Sequence, residues 1–303
     1  MAMSNILFNQ VIVVLLIIIL GYFLTKIKYL DDNSTKKLTN ILLMFVTPCM
    51  IIKAFQKEFD YAYLKNFGIA IVLSILVHIF GMICAKLFFK NDGGKRYKVN
   101  RFSAIYSNAG FMGLPLLSAV LGQDGVFYGC AYLVVLTILY WTHGIYIYTE
   151  DKKQLSIKKI LLNPGVISTA LGLFFFFANF KLPYVVDQTV THLANMNTPL
   201  AMLILGKYLT EVDFKKVLKE KSIYIVCFVR LVFIPIVFAL FLRILGINET
   251  VSSAVLVSAS CPIAVAATLF ANKYNSDAPY SSQVVSVSTI LSVITIPLIF
   301  LIL

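Results

Sequence analysis

The chain has 303 residues, of which 59% are hydrophobic and only 13% are charged. Ordinary soluble domains carry roughly 25% charged residues, so the composition excludes a soluble globule, and its many apolar residues exclude a disordered chain. The net charge of +12 does not indicate nucleic-acid binding, because the basic residues lie in short stretches between apolar runs. The remaining class is a polytopic membrane protein in a lipid bilayer.

A hydropathy window of about 19 residues predicts ten membrane spans in an all-α fold. Each span needs about 20 apolar residues, so ten spans use about 200 residues and leave about 100 for loops. The predicted spans are 6–26, 38–56, 66–89, 102–122, 125–149, 164–180, 189–209, 222–245, 250–271 and 281–303.

Lysine and arginine are distributed unevenly between alternate loops. Twenty of these cations lie on one side of the predicted spans, five lie on the other, and Arg230 lies inside the eighth span. Cytoplasmic loops collect lysine and arginine. The distribution therefore predicts that the side with twenty cations is cytoplasmic and that both termini lie outside the cell membrane.

Matching prolines in the two halves indicate an inverted repeat. A Thr-Pro pair at 47–48 in the second span recurs at 198–199 in the seventh, and Pro115 in the fourth span has a counterpart in Pro262 of the ninth. Secondary transporters are often built from two such halves of opposite orientation, although each proline pair taken alone could be a plain kink. The predicted five-helix repeats are residues 1–151 and 152–303.

The fourth and ninth spans carry residues that should interrupt a membrane helix. Residues 107–116 read Ser-Asn-Ala-Gly-Phe-Met-Gly-Leu-Pro-Leu, and residues 258–267 are small around Pro262. Proline removes a backbone donor and glycine adds freedom, so polar groups at both breaks must face protein or water. Where such breaks meet, the helix N-termini would favour an anion. The predicted substrate-binding residues at the breaks are Asn108, Gly110, Gly113, Pro115, Ser260 and Pro262.

The segment from Asn108 to Pro115 is similar to the Asn-x-Gly-Phe-x-Gly-x-Pro segment of the auxin efflux carrier family, which includes plant PIN-type carriers and bacterial relatives. The resemblance covers the whole chain as a five-plus-five layout and implies a fold related to bile-acid and sodium-proton transporters. It implies a scaffold of spans one, two, six and seven, and a moving transport domain of spans three to five and eight to ten.

The same resemblance implies elevator-type alternating access, a homodimer and carboxylate-bearing substrates bound where spans four and nine cross at their prolines. The connection at 150–163 is short, whereas plant members have a long hydrophilic loop there. Control by phosphorylation and auxin as substrate are therefore not expected.

The fourteen carboxylates all lie in loops or at predicted span ends. Proton relays usually place an acid inside the membrane, so coupling through a carboxylate is not expected. Potential-driven efflux of an organic anion is the predicted function. A sodium- or proton-coupled symporter on the same fold is the alternative, because backbone carbonyls at helix breaks can bind sodium.

Three further polar residues allow two interpretations each. Arg230 could attract the anion or pair with a carbonyl, or it could snorkel to the cytoplasmic face. His78 could be a hydrogen-bonded packing residue or a proton switch. Asn197 could be a second substrate contact or an interhelical hydrogen-bond partner.

The sequence offers little support for other classes of function. The five cysteines lie inside apolar runs without metal-ligand spacing, so no metal or cofactor is expected. His143 has no acid four residues on and no Gly-x-Ser-x-Gly elbow occurs, so an enzyme is not expected. A channel or receptor remains open on sequence alone.

Overall fold

The computed structural model of the chain describes residues 2–151, 153, 155, 157–210, 220–300 and 302, with side chains from residue 12 onward. Parts of several predictions lie outside the described residues: the end of the tenth span at 301 and 303, the cations Lys152, Lys215, Lys216 and Lys219, and the carboxylates Glu211 and Asp213.

The described residues are helical and contain no β-strand, which confirms the all-α prediction. Five of the described helices are long and apolar enough to cross a membrane, and Ile12–Lys26 and Pro164–Phe177 form shorter apolar helices. In chain order the helices are α1 (Ala2–Lys26), α2 (Asp32–Ala54), α3 (Tyr61–Phe88), α4 (Arg96–Ile105), α5 (Ala109–Thr149), α6 (Ile157–Leu161), α7 (Pro164–Phe177), α8 (Tyr184–Asn195), α9 (Asn197–Leu209), α10 (Lys221–Leu245), α11 (Glu249–Ser260), α12 (Ala266–Lys273) and α13 (Ala278–Phe300).

Several helices begin earlier than hydropathy alone predicts, and side-chain caps mark the true start of three of them. The α2 helix begins at Asp32 rather than near residue 38, and Asp31 and Ser34 form a reciprocal capping box in front of it. Asp60 caps α3 and Asn248 caps α11 through their side-chain oxygens. Such caps satisfy backbone N–H groups that the helix leaves unpaired. A hydropathy window does not detect them.

Three prolines inside apolar helices each follow a π-helical turn by two residues. Proline lacks an N–H group and its ring clashes with the carbonyl four residues earlier, and the wider π turn accommodates both effects without ending the helix. The turns and their prolines are Leu42–Val46 with Pro48, Ala109–Gly113 with Pro115, and Val229–Phe233 with Pro235. Pro48 and Pro115 therefore lie within helices, as the kink interpretation allows.

The α5 helix is 41 residues long and turns sharply at Gly122. A straight helix of that length would span about 61 Å at 1.5 Å per residue, roughly twice the hydrocarbon thickness of a bilayer. Gly122 has φ of 63° and ψ of −150°, a conformation that glycine adopts without a steric penalty. The kink falls at the boundary predicted between the fourth and fifth spans, so α5 divides there.

Helix α1 packs most extensively against α9, through two glycines. A Cβ atom added at Gly21 would overlap the Leu203 carbonyl oxygen, and one added at Gly206 would overlap the Ile18 carbonyl oxygen. Small residues allow membrane helices to approach until their backbones touch. This contact joins the helices of the first and seventh predicted spans.

Helix α2 packs against α7 and α8, and α5 packs against α3 and α11. Lys53 on α2 forms an ion pair of 2.6 Å with Asp187 on α8, which adds a polar contact between these two helices. Large apolar side chains such as Leu16, Phe174 and Ile294 point outward and are 60% to 63% exposed in the free chain. Apolar surfaces of this kind are stable facing lipid, in agreement with a multi-pass membrane protein.

Candidate functional site

The interruptions of the fourth and ninth predicted spans pair with each other at the centre of the site. Helix α4 ends at Ile105 and α5 begins at Ala109, while α11 ends at Ser260 and α12 begins at Ala266. Ser107 and Ile263 form an antiparallel bridge between the two extended segments. We call residues 106–108 and 261–265 the crossing.

Backbone hydrogen bonds hold the crossing together. The Asn108 N–H donates to the Pro262 carbonyl at 2.7 Å, and the Ala264 N–H donates to the Tyr106 carbonyl at 3.1 Å. The Ile263 N–H donates to Ser288 Oγ of α13 at 3.1 Å. Each break thus satisfies polar groups that the other has exposed, as a low-dielectric interior requires.

The two prolines at which the spans were expected to cross lie at different places relative to the crossing. Pro262 lies in the crossing, whereas Pro115 lies seven residues beyond Asn108, near the start of the α-helical part of α5. A proline is tolerated in the first turn of a helix, so it marks the restart of the helix rather than its interruption. The Pro115 carbonyl accepts a hydrogen bond of 3.2 Å from Thr198 Oγ1 on α9.

Four helix ends surround the crossing, and their partial charges differ. The C-terminal ends of α4 and α11 present carbonyl groups, whereas the N-terminal ends of α5 and α12 present N–H groups. Each end carries about half an elementary charge, negative at the C-termini and positive at the N-termini. An anion would be favoured at the two N-terminal ends.

Arg230 neutralises the carbonyl ends. Its side chain is 1% exposed and donates from Nη1 to the Ile105 carbonyl at 3.1 Å, from Nη2 to the Ala259 carbonyl at 2.5 Å, and from Nε to the Cys261 carbonyl at 3.3 Å. Pairing with carbonyls, one of the interactions open from the sequence, is present in the structure. The guanidinium does not snorkel to the surface.

Asn108 and Ser260 place polar atoms at the helix ends beside the crossing. The Asn108 side chain is 6% exposed, and its Nδ2 has no hydrogen-bond partner among the described residues. Ser260 Oγ is likewise buried and without a partner in the described part of the chain. A buried donor without a partner costs about 1–3 kcal/mol. These two groups are therefore available to a ligand.

The two predicted glycines make close contacts, Gly113 with residues of and beside α11 and Gly110 with a later part of α5 itself. A Cβ atom at Gly113 would lie 3.2 Å from Cys261 Sγ and 3.8 Å from Ser258 Cα, and one at Gly110 would lie 3.1 Å from Leu133 Cδ1. Gly113 thus allows α5 to approach α11 beside the crossing.

Asn197 lies at the junction of α9 with α2. Its Nδ2 donates to Thr47 Oγ1 at 2.8 Å, which is the interhelical hydrogen bond anticipated as one of its two roles. Its Oδ1 is buried and has no partner within the described ranges. The side chain thus joins the two Thr-Pro segments that the sequence singled out.

Tyrosines of α5 complete the wall of the site and were not predicted. Tyr140 donates to the Ser107 carbonyl at 2.7 Å, and the Tyr132 hydroxyl lies 3.0 Å from Ser107 Oγ. His78 packs against Tyr132 with ring centroids 5.0 Å apart. Tyrosine hydroxyls inside an apolar helix usually need a polar partner, which was the available signal.

His78 lies on α3 beside this wall. Its Nδ1 is 2.6 Å from the Ser74 carbonyl, and because a carbonyl only accepts, Nδ1 carries the hydrogen. In the neutral ring its Nε2 is then an acceptor, buried and without a partner among the residues described. The packing interpretation of His78 accounts for Nδ1 and leaves Nε2 unexplained.

A cavity of about 480 Å³ opens between α3, α4 and the end of α5, on the side predicted to be cytoplasmic. Lys86, Arg101 and Glu150 line it together with Ile105 and His143. A hydrogen bond from Tyr97 and the nearby charge of Lys98 hold the pKa of Glu150 below its ordinary value. The Glu150 carboxylate therefore stays charged at neutral pH, and the cavity carries both signs of charge.

None of the described carboxylates is buried. Those that form ion pairs do so at the periphery, as Asp187 does with Lys53 and Asp277 with Arg96. Every carboxylate in the described ranges is thus at least partly exposed in the free chain.

Interrupted helices that meet within a bundle of apolar helices are found in many membrane transporters. Residues 6–160 and 150–300 match the family described as Membrane transport protein. The chain belongs to this family, the auxin efflux carrier family, which confirms the resemblance seen in the sequence.

Three relatives named as transporters align with this chain along almost their whole length. A protein of Methanothermobacter thermautotrophicus named as an uncharacterized transporter is 22% identical over 296 residues, 96% of each chain. An uncharacterized transporter of Methanocaldococcus jannaschii is 22% identical over 302 residues, also 96% of each. A "Putative malonate transporter" of Rhizobium meliloti is 24% identical over 297 residues, 92% of this chain and 90% of the relative.

Proposed function

We propose that this protein is a secondary transporter, an efflux carrier for small organic anions such as carboxylates, working by elevator-type alternating access. The observation that carries the proposal is the arrangement of charge at the crossing. Arg230 occupies the carbonyl ends of α4 and α11, so the N-terminal ends of α5 and α12 keep an uncompensated positive potential. An anion between those ends would complete the site.

The substrate in this proposal contacts Asn108 and Ser260, whose polar atoms lack partners among the described residues. Gly110, Gly113 and Pro262 shape the backbone around it. A carboxylate accepts several hydrogen bonds at once, which suits amide and hydroxyl donors beside helix N-termini. The malonate named for the Rhizobium meliloti relative belongs to this chemical class.

Export is the proposed direction because of the membrane potential. Moving a monovalent anion out of a negative interior is favoured by about 2.3 kcal/mol per 100 mV. No described carboxylate is buried within the protein, where a proton-coupling acid would be expected. The transporter therefore needs no second solute in this proposal.

The packing of the helices supports a division into a scaffold and a transport domain. Helices α1, α2, α7, α8 and α9 contact one another in pairs and correspond to the proposed scaffold. The crossing and Arg230 belong to the proposed transport domain, formed by α3 to α5 and α10 to α13. The homodimer implied by the family resemblance stays a prediction.

Counterflow in proteoliposomes tests the proposal. Purified protein is reconstituted into vesicles loaded with malonate, and entry of labelled malonate is followed against a panel of unlabelled mono- and dicarboxylates. We expect saturable exchange, and faster net efflux when a potassium diffusion potential makes the interior negative. Absence of saturable exchange with every carboxylate would contradict the proposal, and a linear, non-saturating flux would indicate a channel.

His78 favours one alternative, a proton-coupled symporter on the same fold. Its Nε2 is a buried acceptor without a partner in the described part of the chain, close to Tyr132 and the crossing. Under this alternative, anion uptake would alkalinise the outer medium, and His78→Gln would abolish that change while leaving exchange intact. Uptake without any proton movement would exclude it.

A further inference from the structure

We propose that the guanidinium of Arg230 occupies the position at the crossing where a bound cation would otherwise lie, so that transport needs no sodium. The inference rests on the proposed function in one respect: it assumes that the crossing is the transport site. Its basis is the set of oxygen atoms around the guanidinium.

The three acceptors of Arg230 are backbone carbonyls from both interrupted helices. Ile105 is the last residue of α4, Ala259 lies in the last turn of α11, and Cys261 is the first residue beyond it. Unwound carbonyls and C-terminal ends of half-helices are the ligands that coordinate sodium in transporters with discontinuous helices. The same kind of oxygen cage is present here, and a guanidinium fills it.

The charge of Arg230 has no carboxylate to balance it within the described residues. The three hydrogen bonds described above all go to carbonyls, and the side chain is 1% exposed. An arginine side chain stays charged in proteins, and an unpaired charge in a membrane interior is costly. The negative ends of two helices are what stabilises it.

Arg230 comes from a helix outside the crossing and contacts both of the interrupted helices. It lies in the π turn Val229–Phe233 of α10, a helix that contributes no segment to the crossing itself. From there one side chain reaches the ends of both α4 and α11. Arg230 is therefore a positioning residue: it fixes the two carbonyl ends and leaves the N-terminal ends free for the anion.

The first experiment compares malonate counterflow by the unaltered protein in sodium and in choline media. We expect equal rates in both. A requirement for sodium would overturn the inference. Both media contain the same potassium concentrations inside and outside, together with valinomycin, so potassium sets the membrane potential. Replacing sodium with choline therefore leaves that potential unchanged.

The second experiment removes the resident cation. Arg230→Ala should lower counterflow by about tenfold or more, because the carbonyl cage is left without its charge. Millimolar guanidinium should restore part of the rate and raise the unfolding temperature of this variant. The control is Arg243→Ala on the same helix, an exposed arginine that should respond to neither. Unchanged transport by Arg230→Ala without added cation would overturn the inference, as would equal guanidinium effects on both variants.

Two conservative variants cover the case in which Arg230→Ala does not fold. Arg230→Lys keeps a charge in the cage and should retain sodium-independent transport, while Arg230→Gln keeps only hydrogen-bonding capacity and should lose it. Equal activity of the two would overturn the inference. If no protein exchanges malonate, the proposed substrate class fails, and the guanidinium-dependent shift in unfolding temperature still decides the role of Arg230.

Discussion

Single residues at the crossing differ in what they contribute. Arg230 and Pro262 are held by contacts within the chain, since one donates to three carbonyls and the other accepts from Asn108 N–H. Asn108 and Ser260 each keep one polar side-chain atom unused among the described residues. We therefore expect substitutions at the first pair to disturb the geometry of the crossing, and with it both stability and transport, and substitutions at the second pair to weaken substrate binding directly.

Asn108→Ala should reduce transport by about tenfold or more, since a hydrogen bond to a charged group contributes about 1.5–3 kcal/mol. Folding should stay near normal, because Nδ2 makes no bond within the described chain that the substitution would break. Counterflow kinetics and the unfolding temperature measure the two effects separately. The control is Ser103→Ala on α4, another buried side chain whose oxygen has no described partner. Kinetics of Asn108→Ala equal to those of the control would contradict the prediction.

At the scale of helices, prolines and glycines have roles that depend on their neighbours. Pro48, Pro115 and Pro235 sit behind π turns inside helices, whereas Pro262 lies in a true interruption. The sequence around Pro115 predicted a break in the fourth span, and the structure places that break seven or more residues earlier. Glycines 21 and 206 received no role from the sequence, yet they allow the closest helix contact in the scaffold.

Gly206→Ala should destabilise the protein by about 3 kcal/mol, because the added methyl group meets the backbone of α1, which cannot move aside as a side chain can. Thermal unfolding of the purified protein in detergent gives the measurement. Gly68→Ala is the matched control in α3, since nothing among the described residues lies within 4 Å of a Cβ at that position. A Tm of Gly206→Ala as high as that of Gly68→Ala would contradict the prediction, because it would mean that α1 and α9 move apart at little cost in free energy.

At the scale of the whole molecule, the proposed elevator requires α5 to move relative to α1. Ile18 of α1 and Leu116 of α5 line the same small gap of about 20 Å³, so the two helices are close there. Lys53 and Asp187 instead join two helices of the proposed scaffold. The two pairs therefore distinguish motion between domains from motion within one.

A disulfide between Ile18→Cys and Leu116→Cys should stop transport reversibly, and reduction should restore it. Joining Lys53→Cys to Asp187→Cys with a short bifunctional thiol reagent, which spans the gap left by the lysine side chain, should leave transport nearly unchanged. Both pairs are made in a background with Cys49→Ser, because Cys49 alone among the native cysteines is partly exposed. Full transport by the first cross-linked pair would exclude an elevator motion at this contact.

The orientation of the chain is a second property of the whole molecule. Lys181 lies on the side with few cations and Lys153 on the side with many, and both are exposed. In the Cys49→Ser background, Lys181→Cys should react with a membrane-impermeant maleimide in intact cells, and Lys153→Cys only after permeabilisation. The reverse pattern would show that the charge distribution does not set the topology.

Much of the fold was predictable because the bilayer restricts what a sequence can do. Composition determined the class of protein, apolar runs determined where most helices lie, and the Asn108 to Pro115 segment determined the family, which the family match confirms. Helix ends and π turns were not predictable, since they depend on polar caps and on proline sterics that a hydropathy average does not register.

The candidate site depended on tertiary structure, because it consists of contacts between residues far apart in the chain. The sequence by itself determined that the fourth and ninth predicted spans carry helix-breaking residues and that few charged residues lie inside apolar runs. Only the folded chain decided that Asn108 meets Pro262, that Tyr132 and Tyr140 flank the crossing, and that Arg230 faces carbonyls rather than lipid. A buried charge takes its partner from whatever the fold brings near, and here the fold brings two helix ends.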